Sequence, residues 1–191
     1  MKKISFLLTI AILIANFAFG QYSVTDFYEA KVKELSNPDQ PGGAFKVIPI
    51  VKDVKNGFIS FKTDPPLGYM IGVTESRTDM GYFVAKNGKK FVATADIAKT
   101  QGYGWSGGMP SFYELTEGYL ANITESLVSS EQITEILGNI PKGRDIFSKV
   151  PKIGTTIQIG TIDRKQGEKS FKVAYEMLFD VNNGTFKIVK K

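Results

Sequence analysis

The sequence predicts an α+β domain, mostly antiparallel β, built as a sandwich or a partly closed barrel. Three observations carry this reading. Apolar and polar residues alternate in two groups of segments, at about 44–96 and 153–190. Turn residues separate these segments at intervals too short for βαβ crossovers. Between the two groups, residues 111–140 carry apolar positions at helical spacing. About eight strands are expected in one sheet system. The helical insert should cross one face or cap an opening. Two small β domains bridged by the helices form the alternative.

The N-terminus reads as an address. Met1, Lys2 and Lys3 precede a run from Ile4 to Phe19 that is apolar except for Ser5, Thr9 and Asn16. The run closes on Ala18-Phe19-Gly20, the small-residue pattern of a signal-peptidase site. It is shorter than the roughly 20 apolar residues of a membrane anchor. Residues 1–20 are therefore expected to be a signal peptide, and residues 21–191 a single domain. The expected localisation is periplasmic or secreted, with no stable membrane insertion after cleavage.

Within the domain, Val24, Phe27, Tyr28, Val32 and Leu35 mark a helix over about 23–35, stopped by Asn37-Pro38. Phe45–Lys52 and Phe58–Lys62 read as strands joined through Asn56-Gly57, a type I′ hairpin signal. Asp64-Pro65-Pro66-Leu67-Gly68 must turn, and Tyr69–Thr74 resumes a strand. Tyr82–Ala85 and Lys90–Thr94 form a second hairpin across Asn87-Gly88. In the insert, Ser111 and Glu114 fit a capping box, and Phe112, Leu115, Tyr119, Ile123 and Leu127 form a stripe, with Gly118 as a weak point. Ser129 with Gln132 suggests a second helix start, ended by Gly138, Asn139 and Pro141. A helical turn is expected at Asp145–Lys149. Strands follow at Ile153–Gly160, Phe171–Phe179 and Phe186–Val189. Phe171, Val173, Tyr175, Met177 and Phe179 should point inward.

Composition removes whole classes of chemistry. The chain of 191 residues has no cysteine and no histidine. Thiolate nucleophiles, disulfides and Ser-His-Asp triads are excluded. No cofactor and no metal is expected. Only Arg77, Arg144 and Arg164 are arginines among 24 basic residues, which disfavours nucleic acid. Residues 109–141 hold five glutamates and no basic residue, while residues 142–191 carry a net charge of +6. This reads first as charge segregation inside one domain. The sharper reading is a basic face for membrane or an anionic envelope polymer.

The loop at 101–110 imitates two catalytic motifs. Gly104-Trp105-Ser106-Gly107-Gly108 fits the nucleophile elbow, but no histidine is present to act as its base. Gly102-Tyr103-Gly104-Trp105-Ser106-Gly107 fits a dinucleotide fingerprint, yet a hairpin precedes it and Met109-Pro110 follows. Tyr103 and Trp105 are instead candidate ligand-binding residues, or Trp105 plugs the core. Carboxylate chemistry stays open. Glu114 and Glu117 would share a helix face, and Glu75 and Asp79 would flank a turn at 76–78. Paired acids of that kind serve glycosidases at separations of about 5 or 6.5–9.5 Å. The expected function is an exported, non-enzymatic binding or interaction protein of the bacterial cell envelope. It would bind a small apolar ligand, a glycan or an envelope protein. The alternative is a small secreted hydrolase using paired carboxylates.

Overall fold

The computed structural model describes residues 22–40, 43–68, 71–141 and 144–191. The segment read as a secretion signal, with its expected cleavage before Gln21, lies outside them. Strand accounts for 52% of the described residues. All strand pairings among the described residues are antiparallel. The α+β class dominated by antiparallel sheet is the fold this chain adopts.

Helix α1 (Val24–Leu35) leads. Asp26 accepts hydrogen bonds from the backbone N–H and the hydroxyl of Ser23, at 2.6 and 2.8 Å, which ties down the first turn. The Ser23 backbone bond is the main reason that the Asp26 carboxyl is held below its ordinary range. The face presented by Val24, Phe27, Tyr28 and Leu35 is buried.

Seven strands form the first sheet: β1 (Lys46–Asp53), β2 (Phe58–Asp64), β3 (Val73–Val84), β4 (Lys90–Thr100), β5 (Gly104–Ser106), β6 (Ser111–Thr116) and β7 (Tyr119–Asn122). They run in the order β1-β2-β3-β4-β6-β7, and β5 pairs with the far end of β4. Two short helices follow, α2 (Thr124–Leu127) and α3 (Ser130–Gly138). The second sheet holds β8 (Arg144–Lys149), β9 (Thr156–Asp163), β10 (Gly167–Asp180) and β11 (Thr185–Lys190), in the order β11-β10-β9-β8.

These elements pack in three layers. Phe27, Tyr28 and Leu35 of α1 meet Ile59, Phe61, Met80, Val92 and Leu115 on one face of the first sheet. Phe83, Phe91, Ala93 and Phe112 on the other face meet Ile157, Ile159, Tyr175, Met177 and Phe186 of the second sheet. Val128 and Ile136 from the α2–α3 region complete that core. The central stretch Phe91–Ala95 is therefore buried on both faces.

Several expectations need correction. Residues 111–122 are a hairpin, not a helix. Phe112 and Leu115 are both buried, but in different cores on opposite faces of the sheet. A short strand buried on both sides loses its visible alternation and imitates a helical stripe. The expected capping box at Ser111 does not form, because Ser111–Thr116 is extended and pairs with β4 and β7. Gly118 sits in the hairpin turn at φ 81°, beside Glu117 at φ 51°. The second start does form: the Ser129 N–H donates to Gln132 Oε1 at 3.0 Å, and the Gln132 N–H to Ser129 Oγ at 3.3 Å.

Asp145–Lys149 lies in β8 rather than in a helical turn. The described strands number eleven rather than about eight, and they hydrogen-bond as two sheets that pack face to face, within the expected sandwich or partly closed barrel. Asn87-Gly88 turns a hairpin as expected, with the Ala85 N–H donating to Lys89 O. Asn56-Gly57 instead ends a 3₁₀ turn over Val54–Asn56, capped by Asp53, whose carboxylate accepts from the Asn56 N–H. The inward series in β10 is broken by a bulge between Val173 and Tyr175. Tyr175 and Met177 are buried, while Val173 faces out.

Candidate functional site

The first sheet extends beyond the cover of the second, and an open cleft of about 660 Å³ lies where they part. Strands β1–β3 form one wall. Residues 149–158 and Glu168 form the other. Its organising residue is Arg77. Residues two apart on a strand share a face, so Arg77 and Asp79 lie side by side. Arg77 Nε donates to Asp79 Oδ1, and Arg77 Nη2 to Asp79 Oδ2, both at 3.0 Å. This is the bidentate fork that only arginine supplies. The same Nη2 reaches Glu168 Oε1 across the cleft at 2.6 Å. Ser60 pairs directly with Asp79 in the β2–β3 ladder, and its hydroxyl donates to Asp79 Oδ1 at 2.6 Å.

Ser60, Asp79, Arg77 and Glu168 thus form one ladder joining β2, β3 and β10. Two more cations enter the same cleft. Lys149 Nζ lies 4.5 Å from the centre of the Phe171 ring, and Lys152 Nζ lies 5.7 Å from that of Phe58. Among the described residues, neither has a carboxylate within ion-pair distance. The cleft therefore presents an arginine outweighed by its two carboxylates and two ammonium groups with no acidic partner among the described residues, so its five charged side chains sum to +1. Ile50 and Ile153 stand exposed at its rim, at 51% and 77%.

A second lobe of about 470 Å³ adjoins the first, with Arg77 and Ile50 lining both. Trp105 borders this second lobe. Its ring packs beside Ile97, Phe147 and Ile162 and covers Gly167, where a Cβ would come within 2.8 Å of the indole. Its backbone N–H donates to Arg164 O at 2.8 Å. Lys99 Nζ lies 5.5 Å from the ring centre. Trp105 is thus half-buried, with one part against the core and one beside the lobe. Tyr103, 75% exposed on the turn before β5, lines neither lobe.

Two of the four glycines in the 102–108 loop, Gly104 and Gly107, have a packing cause. Gly102 and Gly104 turn the chain at φ 79° and 86°. A Cβ on Gly104 would overlap the Arg164 carbonyl, and one on Gly107 would press on Phe147 and Ile146 O. Ser106 lies in a short strand paired with β4, not on a strand-to-helix elbow.

The four candidate acids are not brought together. Glu75 and Asp79 flank no turn but share strand β3, four residues and roughly 13 Å apart along the chain. Glu75 is held by Lys99 at 3.0 Å, and Asp79 by Arg77. Glu114 lies exposed in β6, two strands from β3, and Glu117 in the hairpin turn beyond it, so the expected shared helix face does not exist. At the other end of the molecule, Asp180 accepts from the Asn182 N–H and from Asn183 Nδ2, and it closes the β10–β11 turn. Those bonds, the Asn182 backbone first, lower its carboxyl pKa.

Sequence reasoning reached Asp79 and Trp105 in this region but missed Arg77, Ser60, Glu168, Lys149 and Lys152. One signal was present: an Arg-x-Asp pair at strand spacing, using one of only three arginines. Scans against protein-family models, curated proteins and solved structures find no match to this chain.

Proposed function

We propose that this chain is an exported, non-enzymatic binding protein of the bacterial cell envelope, and that its ligand occupies the two-lobed cleft beside Arg77. The observation that carries the reading is the ladder of Arg77 between Asp79 and Glu168, held in an open cleft instead of a packed core. Oriented polar groups at the base of a concavity of several hundred Å³ are the usual makings of a small-molecule site. Because the ladder is anchored on three strands, its donors and acceptors are already in place before a ligand arrives. Trp105 adds a flat amphipathic wall to the second lobe. The N-terminal order of basic, apolar and small residues supports the exported setting.

The test is amide chemical-shift mapping of the domain against small panels of glycans, peptides and amphiphiles. A ligand should shift amides of β2, β3 and residues 149–158. Gln158→Trp, which fills the cleft, should abolish the effect, and Glu114→Gln should leave it intact. Shifts centred on Tyr103, or on no common surface, would defeat the reading. For export, secreted material should begin at Gln21.

A further inference from the structure

We infer that the ligand of the cleft is an acidic oligosaccharide, whose sugar carboxylates are received by Lys149 and Lys152; this rests on the binding reading above. Three features of the cleft select this class. The first is charge. Arg77 already has two carboxylates, so an incoming anion meets Lys149 and Lys152, the cleft cations without an acidic partner among the described residues. Both are positioned over aromatic rings, which orients the ammonium groups without neutralising them.

The second feature is the polar lining. Ser60, Asp79, Glu168, Thr156 and Gln158 give the first lobe hydroxyl, carboxylate and amide groups that match sugar hydroxyls as donors and acceptors. An alkyl chain laid along the same wall would desolvate the Arg77 ion pairs without replacing their water. An apolar ligand is therefore disfavoured.

The third is the edge strand. A peptide commonly docks by adding a strand to a free sheet edge. Here the edge is β1, which carries Pro49 and a register break between Pro49 and Val51. Pro49 lacks an N–H, and the break interrupts any continuous ladder. A glycan needs no ladder. The two lobes sharing Arg77 and Ile50 form one elongated path that suits a chain of several sugar rings.

Calorimetry with three hexamers tests this: a galacturonic acid hexamer, a neutral glucose hexamer and hexaglutamate. The uronic acid hexamer should bind, and about tenfold more weakly when salt rises from 50 to 500 mM, because exposed charge pairs are screened. It should lose about tenfold in affinity in the Lys149→Ala/Lys152→Ala double variant and more in Lys152→Glu. Both lysines are at least partly exposed, so melting temperatures should not change, which separates lost binding from lost folding. Binding of the neutral hexamer with equal affinity, or full affinity in the double variant, would overturn the acidic class while leaving the cleft as a site. Tighter binding of hexaglutamate would reassign the cleft to acidic peptides. If none of the three binds and none shifts a cleft amide, the binding reading itself falls.

Discussion

The two ends of the interface between the sheets are built from the same strands and behave in opposite ways. At one end, Phe83, Phe91, Phe112, Phe179 and Phe186 interlock, with ring centres 5.1–6.1 Å apart. At the other, Arg77, Asp79 and Glu168 hold the sheets together through ion pairs beside an open cleft. Strand β3 shows the change along one face. Phe83 enters the aromatic core, Gly81 leaves room for Val150, and Asp79 and Arg77 line the cleft. The lesson is that cleft and core are set by which side chains alternate on one strand, not by separate domains. Apolar rings expel water and close the gap. Charged groups keep their hydration, so the gap stays open.

Phe91→Ala should cost the most, about 3–5 kcal/mol by urea unfolding, because the ring is fully buried among four others. A loss near 1 kcal/mol would mean that the aromatic end is not the main clamp. Gly81→Ala probes the boundary between the ends. The added methyl overlaps Val150 Cγ1, and overpacking of this kind costs about 1–3 kcal/mol. Its second expected effect is a wider cleft, read as altered amide shifts at residues 149–152.

Arg77→Met should cost less, about 1 kcal/mol, because Arg77 and Glu168 are each about a third exposed and water screens the pair. A loss as large as that of Phe91→Ala would show that the ladder, rather than the rings, joins the sheets. The effect on ligand affinity should exceed the effect on stability.

Comparable in size, after discounting for solvent screening, is the pH response of the helix-covered face. The Tyr82 hydroxyl donates to the Tyr22 carbonyl oxygen. Burial, helped by the nearby Asp26 charge, pushes its pKa up to about 12. The folded chain therefore holds this proton to higher pH than the unfolded chain, whose tyrosine titrates near 10. The stability it contributes is complete below about pH 10 and is lost as pH rises towards 12. Tyr82→Phe should flatten that part of the stability profile. An unchanged profile would show that the hydroxyl is solvated. Least of all, Glu114→Gln should change stability by under about 0.5 kcal/mol, as an exposed charge outside both ends of the interface.

Short-range chemistry in the sequence was enough for much of the fold. Helix α1, the Ser129–Gln132 capping box and the Asn87-Gly88 hairpin each depend on residues within a few positions of one another, so their patterns survive in one dimension. The absence of cysteine and histidine likewise removed thiol and imidazole chemistry without reference to any structure. Three things depended on distant neighbours. Residues 111–122 became strands because α1 and the second sheet cover opposite faces, which hides the alternation a half-buried strand would show. Val173 and Tyr175 face opposite ways because the extra residue at the bulge between them moves every following side chain to the other face. The cleft gathers Ser60, Arg77, Lys149 and Glu168 from segments up to 108 positions apart. No local pattern encodes such a meeting, because it is created by the packing of one sheet on another.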